Sequence, residues 1–179
     1  MEFYDEYFKR IHENLKSVEN RMLDEAVDLI KDTSDAGGKI IFGGNGGSSA
    51  MASHVAVDLT KNAGIRSINF NESDLITCFA NDYGYEEWMK KSIEFYADPE
   101  DLVVLISSSG TSRNIINAGK IAAERGMRLI TFSGFQADNP LRALGDLNFW
   151  VDDSEYNIVE MTHHVWLLAM VDRIIDSKS

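Results

Sequence analysis

The spacing of hydrophobic residues divides the chain into a helical N-terminal segment and a longer segment of alternating strands and helices. In residues 1 to about 35, apolar side chains recur at alternating steps of four and three, at Tyr4, Phe8, Ile11, Leu15, Val18 and Met22. This spacing predicts one helix with a narrow apolar stripe that ends at Gly37-Gly38. Such a stripe fits a helix packed on its own domain, and it equally fits a helix packed on a partner subunit.

After Gly38, short apolar runs alternate with helical patterns. The predicted strands are 39–42, 66–70, 102–106, 129–132 and 147–151. The predicted helices are 49–61, 73–80, 85–97, 113–125 and 158–175. Because the run LVVLI at 102–106 is almost continuously aliphatic, it is typical of a strand buried on both faces. The alternation predicts an α/β fold with a parallel sheet, in a single domain over residues 1–179.

Charge and cysteine content narrow the function classes. The chain has 179 residues, with 17 Lys and Arg against 29 Asp and Glu, and a formal net charge of −12. A surface this acidic repels phosphate backbones, so we expect no nucleic-acid binding. The single cysteine, Cys78, cannot form an internal disulfide, and the apolar run 165–171 is too short to span a bilayer. The N-terminus lacks the basic-then-apolar order of a signal peptide, so we expect a cytoplasmic protein without a membrane partner.

Two polar loops that follow predicted strands form the candidate ligand site. The loop 43–49 reads GGNGGSS, and the loop 107–112 reads SSSGTS. Parallel sheets bind their ligands at the carboxyl ends of the strands, which is where both loops are expected. Neither loop has the lysine of a P-loop, and the first lacks the third glycine of GxGxxG. We therefore expect no nucleotide cofactor.

The second loop has a composition suited to phosphate. Five of its six residues carry hydroxyl groups, and it stands at the start of a predicted helix, where backbone N–H groups and the helix dipole attract anions. The alternative is that these hydroxyls only cap the helix. Because one cap uses a single hydroxyl, the loop favours a phosphomonoester pocket.

The segments GGNGGSSAMASHVAVDLT, FANDYGY and ISSSGTSRNII resemble, in this order, the sugar isomerase (SIS) domain family and its phosphoheptose isomerase group. The resemblance implies three layers around a five-stranded parallel sheet of flavodoxin-like type. It also implies a sugar-phosphate substrate and a homotetramer with active sites between subunits, with residues 1–35 used in oligomer packing. The positions that match substrate contacts are Asn45, Gly46, Ser48, Asp82, Ser107, Ser108, Ser109 and Ser112.

The resemblance further implies a zinc-assisted aldose–ketose isomerisation. This reaction moves a proton between adjacent carbons through an enediolate, so it needs a base beside the C–H bond. In the family, the helix after GNGGS carries a His that binds zinc and, four residues on, a Glu that is both a ligand and the proposed base. The matching residues are His54 and Asp58, which share one helix face. An ordinary surface contact between the two is the alternative.

The last predicted helix departs from the family pattern RIQExHxxxxH, in which the Gln and the final His bind the metal and that His is the acid. Aligned on Glu160, this chain has Val159 and Leu167 at those two positions. His163 lies between them on the same helix face, so we expect it to replace the missing acid and ligand. The alternative is an ordinary helix residue. The expected catalytic residues are thus Asp58 and His163, and the expected metal ligands are His54, Asp58 and His163.

Two functions fit these residues. One is an isomerase acting on sedoheptulose 7-phosphate or a similar ketose phosphate, for the synthesis of a surface polysaccharide such as lipopolysaccharide or capsule. The other is a non-catalytic relative that binds sugar phosphates or protein partners as a regulator. The phosphate loop and the carboxylate of Asp58 favour the enzyme.

Overall fold

The computed structural model describes residues 2–178, which contain five strands and seven helices. The strands are β1 (Ile40–Gly43), β2 (Ser67–Asn69), β3 (Leu102–Ser107), β4 (Arg128–Ser133) and β5 (Leu147–Trp150). The helices are α1 (Phe3–Leu15), α2 (Asn20–Asp35), α3 (Gly46–Lys61), α4 (Ser73–Tyr83), α5 (Trp88–Tyr96), α6 (Arg113–Glu124) and α7 (Tyr156–Asp176). Every predicted strand is present, with small shifts at its ends. Within residues 2–178, no helix is both long and apolar enough to cross a membrane.

The strands form one parallel sheet in the order β2-β1-β3-β4-β5. Ile40 of β1 pairs with Ser67 on one side and with Leu102 on the other. This order is that of the doubly wound, flavodoxin-like sheets, which confirms the predicted fold class. The order reverses at β1 and β3, so the loops after these two strands diverge and leave a crevice at the carboxyl edge of the sheet.

Alternate residues of the central strands supply two cores, one on each face of the sheet. In β3, Leu102, Val104 and Ile106 pack beneath α2, α3 and α7. Val103 and Leu105 point to the opposite face and pack beneath α5 and α6. Successive side chains of a strand point to opposite faces of the sheet. Because β3 is apolar at every position from 102 to 106, both faces must be covered, which explains the three layers.

The N-terminal segment is two helices, and the prediction of one continuous helix is wrong. α1 stops at Leu15 because Ser17 turns the chain: its amide and its hydroxyl bond to the Asn14 carbonyl at 3.1 and 2.8 Å. A serine that bonds to nearby backbone in this way competes with the helix. After the turn, Val18 and Met22 pack against the core beneath α7. The second half of the apolar stripe therefore lies on its own domain.

The first half of the stripe has a different environment. Phe3, Tyr4 and Phe8 on α1 are all more than three-fifths exposed. α1 is nevertheless attached to α7, because the Trp166 indole N–H donates to the Leu15 carbonyl at 3.1 Å. The helix is thus fixed on the domain with an aromatic face turned outward.

Candidate functional site

A pocket of about 280 Å³ opens where the loops after β1 and β3 diverge. Its walls are the first turn of α3 and the serine loop that leads into α6. The pocket is lined by all of the predicted substrate-binding residues except Asp82, together with Gly47, Ile106, Tyr156 and Glu160. The fold therefore brings the two sequence motifs into one crevice.

The serine loop presents hydroxyl groups to this pocket. Ser107 Oγ donates to Ser112 Oγ at 3.2 Å, and Ser109 Oγ lies 2.9 Å from Thr111 Oγ1. Ser108 is only 4% exposed, and its hydroxyl has no hydrogen-bond partner within residues 2–178. A buried polar group without a partner is costly and uncommon. An oxygen of a bound ligand would satisfy it.

Asn45 connects the two walls of the pocket. Its amide and that of Asn114 exchange two hydrogen bonds of 3.0 and 2.9 Å, and the Tyr85 hydroxyl donates to the same Asn45 oxygen at 3.2 Å. Asn114 is buried in the first turn of α6. The side chain of Asn45 thus joins α3 to α6 at the rim of the crevice.

Glu160 is a pocket residue whose role the sequence interpretation did not assign. Its half-buried carboxylate lies so close to the first turn of α3 that a Cβ at Gly47 would collide with it. Burial raises the pKa of Glu160, and the nearby Ser108 hydroxyl, which faces it without reaching hydrogen-bonding geometry, offsets part of that rise. The sequence could have indicated this position. Because α7 follows β5, the first turns of α7, which include Glu160, must lie at the same edge of the sheet as the two polar loops.

Asp82 is the predicted substrate contact that the structure does not bring to the pocket. It lies exposed near the end of α4, where its carboxylate accepts a hydrogen bond from the Asn81 side chain at 2.9 Å. The Cys78 thiol lies 3.8 Å from the same carboxylate. Within one chain, Asp82 is therefore separate from the serine loop.

His54 and Asp58 lie side by side on the outer face of α3, as their spacing predicts. His54 Nε2 is 3.5 Å from Asp58 Oδ2, and His54 Nδ1 is 3.0 Å from His164 Nε2 on α7. Burial, and then the neighbouring His54, lowers the pKa of His164. The structure therefore forms a row of Asp58, His54 and His164, in which His164 takes the place expected for His163.

His163 is a core residue, which corrects its predicted role as acid and metal ligand. The ring is 0% exposed between Phe132 and Trp166, and its Nε2–H donates to the Ser133 carbonyl at 3.0 Å. Burial lowers the pKa of His163 to about 4, so the ring is neutral. The physical reason is that the face shared by Val159, His163 and Leu167 is the face that α7 turns toward the sheet.

The side chains present do not fit the zinc site that the resemblance implies. Residues 2–178 contain no cluster of three His, Cys, Asp or Glu able to hold a metal ion. His54 turns opposite ring edges toward Asp58 and His164, whereas zinc needs three or four ligands that converge on one point. His163 is in the core, so the predicted set of His54, Asp58 and His163 does not come together in this chain.

Comparison with known proteins agrees with this architecture. A family model described as the SIS domain matches residues 3–134. The phosphoheptose isomerase of Helicobacter pylori strain P12 is 31% identical over 167 residues, which cover 89% of this chain and 86% of the relative. A probable phosphoheptose isomerase from Thermoplasma acidophilum is 34% identical over 158 residues, which cover 84% of this chain and 85% of the relative.

Solved structures show the same likeness. Phosphoheptose isomerase GmhA from Neisseria gonorrhoeae has a TM-score of 0.89 to this chain at 28% sequence identity, covering 97% of this chain and 95% of its own. The similarity therefore spans the helical N-terminus, the sheet and the last helix together. The protein belongs to the SIS domain family and, within it, to the phosphoheptose isomerase group of enzymes.

Proposed function

We propose that the protein interconverts a ketose phosphate and an aldose phosphate, with sedoheptulose 7-phosphate as the ketose. The observation that supports this is the pocket between two helix N-termini, in which the buried hydroxyl of Ser108 lacks a partner. Helix N-termini and hydroxyl donors bind phosphate without a cation. The names of the relatives support a seven-carbon sugar over shorter ones.

The proposed reaction needs one proton transfer at carbon and one at oxygen. A base removes a proton from C1 of the ketose, and the electron pair forms the C1–C2 double bond of an enediolate. The proton returns to C2, while the hydroxyl proton on O1 is exchanged for one on O2. The product is the aldose phosphate, and no oxidant or cofactor is consumed.

We assign the base to Asp58, next to His54 and His164. The Asp58 carboxylate is partly exposed, and His54 beside it, with His164 next to His54, can relay protons to solvent. Ten residues of α3 separate Ser48 in the pocket from Asp58, which is about 15 Å at the helical rise. Asp58 is also not among the residues that line the pocket.

A complete site on this proposal requires a second copy of the chain. We propose a homotetramer in which the Asp58 row of one copy faces the phosphate pocket of another. The exposed aromatic face of α1, with Phe3, Tyr4 and Phe8, is the surface that we assign to oligomer contacts. We further propose that the enzyme acts in the cytoplasm, where its product feeds the synthesis of a surface polysaccharide.

The test is exchange of carbon-bound protons with deuterium from the solvent. The protein is incubated in D₂O with sedoheptulose 7-phosphate, shorter ketose phosphates and unphosphorylated sedoheptulose, and deuterium at C1 and C2 is followed by NMR. We expect exchange with the heptulose phosphate and none with the unphosphorylated sugar, because that sugar cannot use the serine loop. Absence of exchange with every ketose phosphate would contradict the proposed reaction.

A further inference from the structure

We propose that Glu160 is a ligand-binding residue that acts in its protonated form, donating a hydrogen bond to the phosphate, so that anion binding takes up one proton from solvent. The inference rests on the proposed function only in that the pocket between α3 and α6 must hold a phosphate. It assigns a role to a side chain for which the isomerisation above has no use.

The position of the Glu160 carboxylate supports this assignment. It lies against Gly47 in the first turn of α3 and faces the unpartnered hydroxyl of Ser108 on the other wall. The first residues of α3 and the serine loop before α6 line the same space, and helix N-termini are where a phosphate would bind. The carboxylate of the protein and the phosphate of the ligand would therefore be neighbours.

No charged group within residues 2–178 neutralises Glu160. The facing residues of α3 and of the serine loop are glycines and serines, and Tyr156 precedes it by one turn on α7. Arg113, the first residue of α6, pairs with Glu86 at 3.0 Å. The neighbouring negative charge, Glu155, pairs with Arg10 at 2.7 Å.

The histidines of α7 are also engaged elsewhere. His163 is neutral in the core and donates to the Ser133 carbonyl, and His164 is held by His54. Neither provides a positive charge to the Glu160 carboxylate. Within residues 2–178, burial by the surrounding protein raises the pKa of Glu160, and the Ser108 hydroxyl opposes that rise.

These surroundings determine what happens when an anion enters the pocket. Burial raises the pKa of Glu160, and a phosphate beside it would raise that pKa further, because like charges disfavour ionisation. A protonated carboxyl group carries an O–H donor, whereas an ionised one offers only acceptors. Proton uptake thus converts a repulsive neighbour of the phosphate into a donor.

The experiment uses inorganic sulfate as the probe, because its charge does not change with pH over the range studied. Binding is measured by calorimetry in two buffers that differ in ionisation enthalpy, which gives the number of protons taken up. We expect wild-type protein to take up a proton on binding, and its sulfate affinity to fall by up to about tenfold per pH unit above the pKa of free Glu160. Glu160→Gln should bind sulfate without proton uptake and with an affinity that does not depend on pH.

Glu124→Gln is the matched control. It removes one carboxylate from the far end of α6, whose twelve residues place it about 17 Å from the pocket end of the helix. This variant should keep the proton uptake of wild type, and circular dichroism should show both variants folded. Sulfate binding to wild type without proton uptake, or uptake that persists in Glu160→Gln, would overturn the proposal. If wild type binds neither sulfate nor sedoheptulose 7-phosphate, the proposed function fails as well, which is a different result from binding without uptake.

Discussion

Arg10 holds Asp153 through two parallel hydrogen bonds, from Nε to Oδ2 at 2.5 Å and from Nη2 to Oδ1 at 2.6 Å. The Asp153 side chain is 4% exposed, and the third contact of Arg10 is to Glu155 at 2.7 Å. Because Asp153 and Glu155 directly precede α7, this pair fixes α1 to the start of the helix that carries Glu160. The N-terminal helix therefore supports one wall of the pocket.

Replacing Arg10 tests this support. Arg10→Met leaves the Asp153 carboxylate buried without its partner, and we expect a loss of about 1–3 kcal/mol in the free energy of unfolding, less than for a fully buried pair because Arg10 is partly exposed. Urea denaturation measures the loss. Arg21→Met, which removes an exposed pair with Glu25, is the control and should change stability by less than about 1 kcal/mol. Equal losses in the two variants would contradict the structural role of Arg10.

Ser108→Ala separates ligand binding from folding. The buried hydroxyl has no partner within residues 2–178, so its removal should leave the unfolding temperature unchanged or slightly raised. Binding of sedoheptulose 7-phosphate should weaken by about 1.5–3 kcal/mol, the value of a hydrogen bond to a charged group. Calorimetry measures the affinity. Ser17→Ala, in the turn after α1, is the control that should bind normally, and unchanged affinity in Ser108→Ala would remove that residue from the site.

His163 makes stability depend on pH in a defined direction. Its pKa of about 4 in the folded protein lies below the ordinary value of 6.5, so between these values the unfolded chain binds a proton that the folded protein does not. The contribution is complete above about pH 6.5 and is lost as pH falls toward 4, by up to about 3 kcal/mol. His163→Gln can still donate to Ser133 and does not titrate, so the difference between variant and wild type should follow this curve. The exposed His12→Gln is the control, and a pH-independent difference for His163→Gln would refute the assignment.

Asp58→Asn tests the base. Positioned acid–base groups contribute about 10²–10⁴-fold to rate, so deuterium exchange at C1 of the heptulose phosphate should fall by that factor. Substrate affinity should change little, because Asp58 lies outside the pocket that we propose for the phosphate. The exposed Asp74→Asn on α4 loses the same charge and should keep the wild-type rate. Exchange at wild-type rate in Asp58→Asn would transfer the role of base to another residue.

The exposed aromatic residues on the outer face of α1 allow the proposed tetramer to be tested. Tyr4 and Phe8 are exposed in the single chain, so Tyr4→Lys/Phe8→Lys should leave the fold intact while placing charges in an oligomer interface. Analytical ultracentrifugation should show a tetramer for wild type and smaller species for the double variant. Glu13→Lys, at the exposed end of the same helix, is the control for added charge. A monomeric wild type would contradict the proposed assembly.

The strands and the position of the serine loop at the crevice could be predicted because their signals are local. The run Leu102 to Ile106 is buried on both faces, and only a central strand of a covered sheet places such a sequence. The serine loop is recognisable because it concentrates hydroxyl groups directly before a helix. In both cases, neighbouring residues carry the information.

The turn at Ser17 and the environment of His163 could not be predicted in this way. Helical spacing continues across the turn, so the apolar stripe alone does not show where the helix ends. Helical spacing also placed Val159, His163 and Leu167 on one face, which the structure confirms, but it did not show that the sheet covers that face. The contact between His164 and His54 joins residues 110 positions apart and depends on how α7 packs on α3.

The reciprocal amide pair of Asn45 and Asn114 has a consequence for selectivity. Because it joins the N-termini of α3 and α6, the width of the crevice is set when the protein folds and not when a ligand arrives. The conformational entropy of the two loops is then lost when the protein folds, so little of this loss opposes ligand binding. A preformed opening of this kind discriminates between ligands by their shape.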